Sequence, residues 1–127
     1  MHIIPIKISV VTPGVPVTFA SVIAAMNLPA ERVPLNKINA IKLYPQLGNT
    51  GNSYIGLTAT APCAGGVAMN KTTGVNVIKQ LFPAAASGHQ DAFELFDFEG
   101  GNSLLISDYA MDADTAAQGV IGHLVVI

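Results

Sequence analysis

The run Ile4-Pro5-Ile6-Lys7-Ile8-Ser9-Val10, then Pro13-Gly14, then Val15-Pro16-Val17-Thr18-Phe19, decides the fold class of this chain. In both runs large apolar residues alternate with polar ones or proline. A period of two puts the apolar side chains on one face of a β-strand, whereas a helix would need them three and four apart. Pro13-Gly14 turns the chain, so the two runs read as a hairpin. Pro16 assigns the second strand to a sheet edge, where a missing N–H costs least.

The same punctuation continues outward. Ala20 to Leu28 has room for two turns of helix, but Pro29 and Pro34 fence it in, so a loop with a helical turn is an equal reading. Ile38 to Leu43 reads as a strand. Gly48-Asn49-Thr50-Gly51-Asn52 follows, rich in residues that tolerate positive φ, and joins it to Tyr54-Ile55-Gly56-Leu57 as a second hairpin. Thr58 to Thr73 is small and polar and reads as a long surface loop, a contact arm that orders on assembly. Val75 to Leu81 is a strand with Val75, Val77 and Leu81 on one side, and Pro83 to Gln90 is a loop. Phe93 and Leu95 flank Glu94 in a further strand, Gly100-Gly101-Asn102 turns into a strand from Leu104, and Gly119 to Ile127 closes the chain as a buried strand. About eight strands and no long helix imply an all-β fold: a single antiparallel, jelly-roll-like β-sandwich spanning residues 1–127.

Composition narrows the function. Half of the 127 residues are hydrophobic, yet only 11% are Asp, Glu, Lys or Arg, against about 25% in an average soluble domain. A surface so poor in charge points to faces buried against other subunits, the alternative being a neutral Ser/Thr/Asn/Gly surface, which this sequence partly has. The net charge of −2 and six scattered basic residues (Lys7, Arg32, Lys37, Lys42, Lys71, Lys79) argue against nucleic acid. No apolar run approaches the length of a membrane span, and Met1-His2-Ile3-Ile4-Pro5 does not read as a signal peptide. Cys63 is the single cysteine, which fits folding in a reducing cytoplasm.

Few residues invite chemistry. Asp108, Asp112 and Asp114 share a face if Leu104 to Asp114 is one strand, with Tyr109 and Met111 toward the core. Three carboxylates suit a hard cation such as Ca²⁺. Without the glycine and carbonyl ligands of a calcium loop, though, a solvated or subunit-facing acidic strip is the better reading. His2, His89 and His123 lack metal-ligand spacing, and Cys63 has no histidine assigned to activate it. Gly65-Gly66 and Gly100-Gly101 are turn glycines, not phosphate loops. The residues singled out for subunit contact are Asp108, Asp112, Asp114, Ala64, Gly65 and Gly66. No catalytic residue, metal or cofactor is expected.

Two stretches carry a resemblance: Gly48 to Gly56 with Met69-Asn70-Lys71-Thr72-Thr73-Gly74-Val75, and Leu104 to Asp114 with Gln118-Gly119-Val120. Together they resemble small structural proteins of tailed-phage virions, departing from the pattern at Ala110, where it has an aromatic residue, and at Ala117-Gln118, where it has Gly-Glu. The resemblance implies a non-enzymatic β-sandwich, made in the host cytoplasm and incorporated into the virion as a head decoration (cement) or head–tail accessory protein. Its partners would be the major capsid protein or another virion protein and further copies of itself, as a trimer or an array on the capsid. The alternative from another class is a carbohydrate- or receptor-binding β-module. Such modules favour exposed aromatics, and this chain has no Trp and three Tyr.

Overall fold

The computed structural model describes residues 2–28, 38–83, 91–96 and 104–126. Among these residues the strands are β1 (His2–Ser9), β2 (Val17–Thr18), β3 (Ala40–Pro45), β4 (Ser53–Leu57), β5 (Val77–Leu81), β6 (Phe93–Phe96), β7 (Tyr109–Ala113) and β8 (Gly119–Val126), with an α-helix, α1 (Phe19–Ala25), after β2. They form two four-stranded sheets, ordered β1-β8-β3-β6 and β2-β7-β4-β5, in which every pairing is antiparallel.

The two orders define the topology. Reading across the sandwich, each strand of the first sheet holds the place its chain neighbour holds in the second: β1 with β2, β8 with β7, β3 with β4, β6 with β5. The registers put the connections β1–β2, β3–β4 and β7–β8, with the end of β5 and the start of β6, at one end, here the loop end. This is a jelly roll. Both expected hairpins are therefore corrected: β1 and β2, like β3 and β4, lie in different sheets. A tight hairpin takes a two- to five-residue turn, whereas the seven residues from Val10 to Pro16 and from Gln46 to Asn52 reach across the core.

The alternation in β1 does what its period requires. Ile4, Ile6 and Ile8 are buried while Ile3, Pro5 and Lys7 face out, and Pro5 sits on an edge strand. β2 is an edge strand too, as Pro16 implies. β8 runs through the middle of its sheet between β1 and β3. Val120, Leu124 and Val126 there meet Ile41 and Leu43 of β3, and Ile55, Met111 and Leu81 come from the other sheet. Each such side chain, fully buried, contributes about 1.5–3 kcal/mol.

The opposite end, here the helix end, is closed by α1, which packs against β1, β2 and β7. Thr18 caps the helix by accepting from Ser21 N at 3.3 Å. Phe19 and Ile23 are its buried face, and Phe19, the expected end of the second strand, is its first residue. Asn27, at φ 52°, ends it.

Two further expectations shift. The stretch from Leu104 is not one strand: Leu104 makes an isolated bridge to Ile38, Ile106–Asp108 form a 3-10 turn, and β7 starts only at Tyr109. β5 starts at Val77, leaving Val75 exposed. The expected loop at Pro83–Gln90, beyond Pro83, and the expected turn at Gly100-Gly101-Asn102 lie outside the described residues.

Candidate interaction surface

Between β4 and β5 at the helix end, residues 58–76 fold back over the outer face of their sheet. Met69 N donates to Leu57 O at 2.9 Å, and the Met69 side chain, 3% exposed, lies on Gly56 of β4, where an added Cβ would strike it. The loop is a chain of turns: Ala61 N to Thr58 O, Ala64 N to Ala61 O, Val67 N to Ala64 O. Asn76, at φ 54°, fastens them by donating from Nδ2 to Ala64 O at 3.0 Å and Val67 O at 2.7 Å. Thr58 Oγ1 donates to Ser107 O at 2.7 Å, tying the loop to the 3-10 turn. Of the contact candidates here, Ala64 is buried, while Gly65 and Gly66 are exposed at φ 65° and 78°. Cys63 is exposed beside them.

The three aspartates are separated. Asp108 sits in the 3-10 turn at the helix end, where burial raises its carboxyl above the ordinary value. Asp112 points to the outer face of β7 but is 1% exposed, and its Oδ1 accepts from Gly14 N at 3.1 Å and Ala113 N at 2.8 Å. Asp114, at the loop end, pairs with Lys71 Nζ at 2.9 Å and accepts from Tyr54 OH at 3.1 Å. Burial pushes Asp114 up, but the bonds from Lys71 and Tyr54 outweigh it and hold the carboxyl below its ordinary value. The expected single acidic strip is thus divided: Asp108 is not on the strand, and Asp112 holds the turn that covers it. Among the described residues no group of three His, Cys, Asp or Glu side chains converges on a metal position, and no pocket opens.

The tyrosines are engaged. Lys42 lies over the Tyr44 ring at 5.5 Å and Lys71 over Tyr54 at 6.0 Å, and Tyr109 packs beside Phe19 at 6.2 Å between centroids. No helix among the described residues is long and apolar enough to cross a membrane.

The loop end is where sequence reasoning missed a surface. Three of its connections, residues 10–16, 46–52 and 114–118, are bonded to one another. Val10 N donates to Gln118 O at 2.9 Å, Ala117 N to Val10 O at 2.8 Å, and Gln46 N to Gly119 O at 3.0 Å. Gln118 Oε1 accepts from Thr50 N at 2.9 Å and Gly51 N at 3.1 Å. Gln46 Nε2 reaches Ser9 Oγ at 3.0 Å, and Asn49 Nδ2 reaches Gly119 O at 2.8 Å. From this frame Val11 and Leu47 project, 85% and 84% exposed, with Val15 at 60%. The one signal was a large aliphatic inside a turn-rich loop, in Val11-Thr12-Pro13-Gly14 and Gln46-Leu47-Gly48, where no alternation explains it.

The fold and this surface define an all-β jelly-roll module with an apolar end. No family model, curated protein or solved structure matches the chain.

Proposed function

We propose that this chain is a non-enzymatic structural component of a tailed-phage virion, a decoration or cement subunit that packs against the major capsid protein or another virion protein. The observation that carries the reading is a fold fixed at its loops that offers solvent aliphatic side chains instead of charges. Val11 and Leu47 are more than four-fifths exposed on loops pinned by backbone and amide hydrogen bonds, in a chain with only 11% charged residues. Exposed apolar side chains on a charge-poor surface mark protein contact. The resemblance of residues 48–75 and 104–120 to phage structural proteins supplies the virion setting. Copies of the chain assembling on a capsid, as a trimer or an array, would use the remaining faces; Asp108, Asp114, Gly65 and Gly66 are the candidates there that reach solvent.

The test is direct. Capsid shells assembled without this chain are mixed with the purified protein and sedimented, and the same protein is laid on a glycan array. Saturable binding to shells at a fixed number per particle is expected. A protein that ignores shells and captures a defined glycan overturns the reading in favour of a carbohydrate-binding module.

A further inference from the structure

We infer that the loop end of the jelly roll is the docking surface, a rigid apolar prong that seats in an uncharged recess on a different protein subunit. This rests on the virion reading and goes further, because it names the face and the chemistry of its partner.

The first support is charge. Residues 10–16, 46–52 and 114–118 contain one ionisable side chain, Asp114, and that carboxylate is already paired with Lys71 at 2.9 Å. Nothing in these three loops would attract phosphate or an acidic surface, and an apolar, neutral surface is complemented by an apolar, neutral partner. A bilayer is disfavoured by the same residues. Interfacial insertion uses Trp, Tyr or Phe beside Lys or Arg; these three loops contain none of them, and the exposed aromatic beside them, Phe82 just past β5, has no Lys or Arg next to it in the chain.

The second support is area and shape. Eleven residues of the three loops are exposed, where a stable interface of standard size takes about 20–30 on each side. Two such sets of loops meeting tip to tip would fall short of that size. A recess that also grips the flanks of the prong makes up the difference, and the described residues of this chain offer no pocket to serve as one. A recess on a different subunit is the occupant that meets this size requirement.

The third support is pre-organisation. Val11 lies between Val10, which is bonded to Ala117 and Gln118, and a turn closed by Val15 N to Thr12 O at 3.0 Å, with Gly14 held by Asp112. Leu47 follows Gln46, whose backbone and side chain both bind across the end. Little freedom is left to lose on docking.

The experiment uses the whole protein and shells assembled without it. The variants are Val11→Asp with Leu47→Asp, the milder Val11→Ser with Leu47→Gln, and Val67→Asp as a control on a residue 53% exposed at the helix end. Thermal melts check that each is folded, which the exposure of these sites favours. The wild type and Val67→Asp should bind shells equally. The Asp pair should lose about 100-fold or more, since seating two unpaired carboxylates in an apolar recess is costly, and the Ser/Gln pair should fall between. Tip variants that bind like the wild type overturn the inference and leave the virion reading intact. A wild type that binds no shells overturns both. Flotation of the wild type, but not the Asp pair, with phosphatidylcholine vesicles would make the occupant a bilayer. Self-association lost in the Asp pair would make it a second copy; either result overturns the inference.

Discussion

The two ends of the sandwich handle the same shortage of charge in opposite ways. At the helix end, the loop of residues 58–76 tucks Ala61, Ala64 and Met69 under itself, and Phe19 and Ile23 of α1 plug the gap between the sheets; Met26, Val67 and Val75 are the exceptions, each less exposed than Val11, Val15 or Leu47. At the loop end the chain is pinned just as firmly, yet Val11, Val15 and Leu47 are left in water. Rigid loops that hold aliphatics outward have a cost in solubility, and burial against a partner removes it. The helix end completes the fold; the loop end leaves its aliphatics exposed.

The largest effect should come from truncating one aliphatic at each end. Met69→Ala removes a side chain that is 3% exposed and fills the space over Gly56, and should cost about 2–3 kcal/mol. Leu47→Ala removes one that is 84% exposed and should cost less than about 0.5 kcal/mol. Urea unfolding of the two variants measures the contrast. Equal losses would mean that Leu47 is packed within the isolated chain, and the comparison between the ends would collapse.

Asp112 comes next. Asp112→Ala leaves the Gly14 N–H without its acceptor and should destabilise by about 1–3 kcal/mol. Asp112→Asn keeps a carbonyl oxygen and should lose less. Amide exchange at Gly14 reads the bond directly: it should speed up in the Ala variant by more than global unfolding accounts for. Unchanged exchange there would show that the turn is held by its neighbours alone.

The sandwich was legible because period two is a property of the strand itself. Ile4, Ile6, Ile8 and Val10 announce a buried face wherever the strand pairs. The pairing was not legible, because Pro13-Gly14 and Gly48 to Asn52 show only that the chain turns. Whether a seven-residue turn closes a hairpin or crosses the core depends on partners far away, such as Gln118 for residues 50 and 51 and Asp112 for Gly14. The acidic strip failed for a related reason. Counting by twos from Asp108 assumed a strand through a segment that the Asp108 N to Leu105 O bond bends into a 3-10 turn. Asp112 was placed correctly on the outer face, but sequence could not reveal the loop that covers it. Val11 and Leu47 were passed over because exposure in a loop is normally unremarkable; only their convergence at one end gives it meaning.

A smaller and opposite effect is expected at Ala117, which holds φ 64° so that its N–H can reach Val10 O at 2.8 Å. An L-residue pays for that left-handed conformation, and glycine, despite its greater freedom when unfolded, avoids the strain. Ala117→Gly should stabilise by about 0.5–1 kcal/mol and leave the loop end in place. A lower melting temperature would mean that the Ala117 methyl, not the backbone bond, holds this corner.

The smallest effects separate the ends by pH. Asp108, at the helix end, has its carboxyl raised by burial, so in the fold its charged form is disfavoured relative to the unfolded chain. Asp114, at the loop end, is lowered despite burial because Lys71 and Tyr54 bind the charged form. The signs follow by linkage. Asp114 contributes stability above the unfolded value of 3.8, and that contribution is lost as pH falls through its lower folded value. Asp108 does the reverse: its penalty is complete above its raised folded value and is relieved as pH falls through that value toward 3.8. At neutral pH Asp108→Asn should therefore melt slightly above the wild type and Asp114→Asn slightly below. On acidification the Asp108 difference should fade first, at a higher pH than the Asp114 difference. Both carboxylates are partly in water, so each difference stays below about 1 kcal/mol, and added salt should shrink the Asp114 effect more, because its source is an ion pair. Melts of the two variants from pH 7 down through the carboxylate range decide the matter. Differences of the same sign, or differences that vanish together, would show that the two ends do not treat their carboxylates in opposite ways.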